Sequence, residues 1–236
     1  MANPVLLNNV DHKDLRVNCA RGADLGDEVM FAPTFPAEFR NLQAHYPIVF
    51  RKAGDGVSFE AIALLGFQEG ENLFLQRHRW DAAYLPLTIE RQPFLIGVNG
   101  GELTVHVDLD NPRVGTGSGE AVFLPHGGTT EYLERVNAIL LTIHQGLQTM
   151  PAFVAALLEH ELLESFVLDI ELDDGSQNRL AGFYTINEER LGALTGPALE
   201  RLHKLGYLQA IYLAIASLSQ FRALIERKNR AHAASR

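Results

Sequence analysis

The stretch FVLDIELDDGSQNRLAGFYTI, from Phe166 to Ile186, decides the fold. Phe166, Leu168, Ile170 and Leu172 alternate with Val167, Asp169, Glu171 and Asp173, so one face of a strand is apolar and the other polar. Asp174-Gly175 supplies a tight turn, and Leu180 to Ile186 reads as the returning strand. A hairpin this late, set among helical segments, needs a body on which to bury its apolar face. The reading is therefore α+β in a single domain over residues 1–236, with antiparallel hairpins in the first half and one late hairpin packed against several C-terminal helices.

Upstream, two further hairpins are expected. Ile48, Val49 and Phe50 precede the turn Gly54-Asp55-Gly56, and Phe59 to Phe67 returns. Phe94 to Val98 and Glu102 to Leu109 flank Asn99-Gly100-Gly101, with Leu103, Val105, Val107 and Leu109 on one face. Residues 42–125 are strand-rich and residues 126–236 helix-rich. Residues 1–41 read as an extended arm held by Phe31, Phe35 and Phe39, because Pro33 and Pro36 interrupt any helix there.

After Leu124 the apolar spacing becomes helical. Leu133, Val136, Ile139 or Leu140, Ile143 and Leu147 form one stripe, and Phe153, Val154, Leu157, Leu158 and Leu162 form another. Gly146, Thr149 and Pro151 predict a break between them. Asn187 caps a short helix, Pro197 opens the next, and Gly206 stops it. A last helix runs from Leu208 to Ile225 and ends in a solvated basic tail at Arg227, Lys228 and Arg230.

The net charge of −9 and pI near 5.4 exclude a general nucleic-acid binder, which needs a basic face against phosphate. With Cys19 as the one cysteine, no intrachain disulfide forms. The start, MANPVLLNNVDHKDLRV, lacks the basic and apolar regions of a secretory signal, so a cytoplasmic location is expected. The uncharged stretch Leu205 to Phe221 carries Gln209, Ser217, Ser219 and Gln220, and is read as a buried helix without membrane insertion.

The blocks HYPIVFRK (His45 to Lys52), ALLGFQEGENLFL (Ala63 to Leu75), VDLDNPRV (Val107 to Val114) and LAGFYTINEERL (Leu180 to Leu191) resemble the bacterial SapC family, named for a locus tied to surface layers. WDAAYLP, RQPFLI and GYLQAIYLAIASLSQFRALI fall in the same order. The resemblance implies a surface-layer-related (S-layer) or peptide-modification setting, and it brings no catalytic residue and no cofactor with it.

Candidate chemistry is sparse. An aromatic and arginine group, Trp80, Tyr84, Arg91 and Phe94, suits contact with a peptide or protein, and Tyr46 joins it. Glu71 and Asn72 read first as turn residues, with Asn72 bonding local backbone, and second as contacts for a ligand amine or amide. His106 and Asp108 lie two apart on a strand and would offer an Fe(II) oxygenase two ligands, with His126 or His144 as the third. The bland reading of that pair is the polar face of a strand. Gly127-Gly128 before Thr130 reads as a loop ending in a helix cap rather than a phosphate loop. The expectation is a non-catalytic protein binding a protein or peptide partner, with a homodimer through the C-terminal helix. The alternatives are the iron oxygenase and a small-molecule-binding regulator.

Overall fold

The computed structural model describes residues 3–76 and 78–234. The fold is α+β, with antiparallel sheets and C-terminal helices. The chain gathers into two compact units interleaved in sequence. The first takes residues up to Glu28, Leu75–Trp80 and Leu87–Gln145, and the second takes Val29–Phe74, Asp81–Pro86 and everything from Gly146. Elements are numbered along the whole chain, through both units.

In the first unit, β1 (Pro4–Leu6), β8 (Phe94–Asn99) and β9 (Glu102–Asp108) form a sheet in the order β1-β9-β8. β2 (Arg16–Val17) is flanked by β10 (Val114–Gly115) and β11 (Glu120–Ala121), and β6 (Leu75–Gln76) pairs with β7 (Arg79–Trp80). α2 (Leu87–Glu90) is one turn starting just after Pro86, where the sequence allows a helix to begin. The first half of α3 (Glu131–Glu159) closes the core: Leu133, Val136 and Leu140 pack with Val17, Phe94, Val107 and Val122. Its start is fixed by the expected cap, the Leu133 amide donating to Thr130 Oγ1 at 3.2 Å.

In the second unit a five-stranded sheet runs β12-β13-β4-β5-β3. The strands are β3 (Phe31–Thr34), β4 (Ile48–Lys52), β5 (Phe59–Leu64), β12 (Leu163–Glu171) and β13 (Gln177–Ile186). The late hairpin is present with its expected faces: Ile170 and Leu172 are buried, while Val167, Asp169 and Glu171 are exposed. It joins the sheet through Phe183 and Tyr184 opposite Arg51 and Phe50. The register slips between Phe166 and Leu168, where β13 carries an extra residue, and Gly182 with φ +85° supplies the left-handed backbone the bulge needs.

The first 41 residues are not an arm. They divide between the units and form β1, β2, β3 and α1 (Phe39–Leu42). Pro33 does not prevent β3 because that strand is the edge of its sheet, where one side of the backbone faces away from the ladder. The three phenylalanines are partly or wholly buried as expected, Phe35 and Phe39 completely.

The break expected near Gly146 is also absent: α3 is continuous through Gly146 and Pro151. The glycine answers a packing need. A Cβ there would stand 2.1 Å from Phe35 Cδ2, and Phe35 has no exposed surface into which to retreat. What reads as a helix breaker in sequence is the seat for a buried ring.

The C-terminal helices are α4 (Glu188–Gly192), α5 (Gly196–Lys204), α6 (Tyr207–Ser217) and α7 (Gln220–Ala234). Asn187 caps α4 by accepting from the Arg190 amide at 2.8 Å, and Gly206 holds φ +74° between α5 and α6. The expected single last helix is two, interrupted at Leu218 and Ser219. Ser217 explains part of the interruption. Its hydroxyl donates to Ala214 O at 2.5 Å and accepts from the Ile48 amide of β4 at 2.8 Å, tying the helix end to the sheet. The basic tail is not fully solvated either. Arg227 donates to Asp81 Oδ2 at 2.6 Å and to Asp81 O at 2.8 Å, and lies 4.3 Å above the Phe74 ring. Lys228 pairs with Glu71.

In an ordinary helix, Gly→Ala stabilises by about 1 kcal/mol. Gly146→Ala is expected to do the opposite here, destabilising by about 1–3 kcal/mol through overpacking against Phe35. Urea denaturation of the two proteins reads the sign directly.

Candidate functional site

The polar centre of the first unit is built around Arg113, only 2% exposed. It follows Asn111-Pro112 at the end of the block VDLDNPRV, where the Asn111 side chain accepts from the Arg113 amide at 3.0 Å and turns the chain inward. Its guanidinium donates from Nη2 to Asp27 Oδ2 at 2.6 Å, and from Nη1 to Ala20 O at 2.6 Å and Asn18 O at 3.2 Å. Asp27, with no exposed surface, also accepts from the Gly22 amide at 3.0 Å and pairs with Arg21 at 3.5 Å. The segment 18–27 is thereby folded onto one buried cation.

A recess of about 50 Å³ opens beside this pair. Arg21, Arg113 and Arg135 line it, with Tyr132, Gln92, Glu90 and Cys19, and Val136 and Ile139 give it an apolar wall. Tyr132 and Arg135 come from the first turns of α3, three residues apart and so on one face, with the guanidinium 5.5 Å from the ring centroid. Arg113 Nε has no hydrogen-bond acceptor among the described residues, and Arg21 Nη1 faces Asp27 Oδ1 at 3.5 Å as an ion pair without a hydrogen bond. Burial, and then the neighbouring Arg113 charge, pushes the Arg21 pKa below its usual value. Burial, and then the adjacent Cys19, raises the Tyr132 pKa above its usual value.

The side chains read from sequence as contact residues fall elsewhere. Tyr46, Glu71, Asn72 and Tyr84 lie in the second unit, and Trp80, Arg91 and Phe94 in the first. Tyr46 is fully buried, its ring 4.7 Å from Phe74 and its hydroxyl donating to Tyr84 O. Tyr84 is half-buried and donates to Glu38 Oε1 at 3.1 Å. Glu71 Oε2 accepts from the Phe67 amide and Oε1 pairs with Lys228, while Asn72 Oδ1 accepts from the Phe74 amide. Both are therefore engaged in their own turn. Phe94 is core, 6.1 Å from Tyr132, and Arg91 donates to Phe94 O at 2.6 Å. Trp80 is half-buried.

His106 and Asp108 do share a strand face, as their spacing requires. His106 packs over Gly97, whose Cβ, if present, would lie 2.6 Å from the imidazole Cε1. Asp108 Oδ1 accepts from the Asn3 amide at 2.7 Å. Among the described residues, no three His, Cys, Asp or Glu side chains, His126 and His144 included, gather in a metal-holding group.

With this geometry in view, the chain was compared with known proteins. The SapC family model matches residues 7–224, and the chain belongs to the SapC family. No curated protein and no solved structure matches it.

The recess escaped the sequence reading because its parts are far apart: Arg21 and Asp27, then Arg113, then Arg135. The one local signal is the Tyr132–Arg135 spacing on a helix face. Arg113→Met leaves Asp27 buried beside Arg21 alone and is expected to cost about 3–5 kcal/mol. Arg113→Met combined with Asp27→Leu is expected to lose less than the two single changes summed, because the uncompensated charge is then gone. Chemical denaturation of the four proteins completes that cycle.

Proposed function

We propose that this SapC-family chain works by binding a peptide or protein partner and not by catalysis, in a surface-layer-related or peptide-modification setting. The observation that carries this reading is the recess. It presents converging hydrogen-bond donors, Arg21, Arg113, Arg135 and Tyr132, against an apolar wall, which is the composition of a recognition pocket. Cys19 and Glu90 both line it, with no histidine among the described lining residues. Trp80, Tyr84 and Arg91, half-buried and at the surface of their own units, remain the aromatic and arginine contacts the sequence offers.

The same reading keeps the protein in the cytoplasm and includes a homodimer through the C-terminal helices. Tyr212 on α6 is 57% exposed and Leu205 just before it 50%, whereas Ala210, Ile211 and Ala214 are buried. The stretch Tyr207–Ala234 is long and apolar enough to cross a membrane by length and composition. Within it, α6 packs on β4, β13, α1 and α5.

Thermal unfolding in the presence of short peptides tests the binding reading. A peptide at a hundredfold excess over its Kd is expected to raise Tm by about 5–10 °C in a chain of this size. A library of free and amidated peptides that leaves Tm unmoved removes the reading. For the dimer, sedimentation is expected to show Tyr212→Glu as monomer at concentrations where the parent is dimeric.

A further inference from the structure

We propose that the recess of the first unit is a carboxylate-binding site, and that a partner's terminal or side-chain carboxylate is the group it takes. The proposal deepens the binding reading and rests on it.

The donor geometry comes first. Arg113 is held by its two terminal nitrogens, which face Asp27 and the carbonyls of Asn18 and Ala20. Those bonds account for its structural role, yet Nε has no acceptor among the described residues. A buried N–H to which the protein offers no acceptor is a favourable partner for an arriving oxyanion. Guanidinium edges are planar forks that match the two coplanar oxygens of a carboxylate.

Charge balance points the same way. The guanidinium groups of Arg21, Arg113 and Arg135 face the carboxylates of Asp27 and Glu90, leaving one positive charge in excess. A bound anion balances that excess.

Size selects among anions. Each water-sized site needs roughly 10–15 Å³, so a recess of about 50 Å³ has room for about three to five such atoms. A carboxyl carbon with its two oxygens fits that space with room for the methylene that carries it, whereas the phosphorus and four oxygens of a phosphate take all of it. Val136 and Ile139 suit the methylene that carries the carboxylate. The exposed residues of the lining, Cys19 and Arg135, mark the way in.

Cys19 makes the test direct, because it is the only thiol in the chain and lies on the lining. Iodoacetate and iodoacetamide alkylate it by the same step, sulfur bonding to the CH2 carbon as iodide leaves, but only iodoacetate carries a carboxylate. In the full-length protein the iodoacetate to iodoacetamide rate ratio is expected to exceed that of a free-thiol peptide by about tenfold, the equivalent of one charge-assisted hydrogen bond. The iodoacetate rate should saturate with concentration. Sodium acetate should slow it where sodium chloride and phosphate at equal ionic strength do not. Arg135→Gln, a change at an exposed position, should lower the iodoacetate to iodoacetamide ratio.

A ratio equal to that of the peptide, or phosphate protecting as well as acetate, overturns the proposal. If peptides raise Tm equally with free and amidated carboxyl groups and acetate gives no protection, the carboxylate assignment falls while the binding reading stands. If acetate protects Cys19 and no peptide moves Tm, the peptide reading alone falls.

Discussion

A guanidinium cannot be buried without acceptors, and the first unit is arranged around meeting that demand for Arg113. Its ion pair with Asp27 has a large desolvation cost, offset only by short, well-directed bonds. Those bonds reach three places in the chain, Asn18, Ala20 and Asp27, and so convert a glycine-containing loop with little apolar content into a fixed wall. The recess exists because that wall stands opposite α3. An apolar side chain at position 113 could fill the same volume, but it could not specify where the loop carbonyls point.

What was legible in the sequence was local. Period-two alternation located both the Glu102–Asp108 strand and the Phe166–Ile186 hairpin, since alternation follows from the pleat alone. Caps and stops at Thr130, Asn187 and Gly206 were readable for the same reason, because each acts within three or four residues. The misreadings share an opposite cause. Gly146 and Pro151 are poor helix residues, yet α3 passes through both, because burial of Phe35 and Phe153 along the helix outweighs local propensity. Arg227 and Lys228 looked solvated because their partners, Asp81 and Glu71, lie about 150 residues away in sequence.

The site was less legible than the fold. Aromatic and arginine residues clustered in sequence around Trp80 to Phe94 drew attention, but Phe94 and Tyr46 are core and Tyr84 bonds to Glu38. The residues that do converge on open space are spread from Cys19 to Arg135 and share no pattern that a single sequence displays. SapC membership identifies the chain's relatives, and the chemistry at the recess has to be read from positions of charge.

The edge strand β3 has one more effect. An outer strand normally offers a neighbouring chain a row of amide hydrogens on which a new ribbon can grow. Pro33 removes one from the middle of that row, so growth of the five-stranded sheet is discouraged on this flank. The opposite flank, β12, is guarded differently, by the negative charge that Glu164 and Glu171 leave on it once Asp169 is paired with Arg179. The two borders of the sheet thus resist self-templating by unlike means, one steric and the other electrostatic, and only the second weakens in acid or high salt.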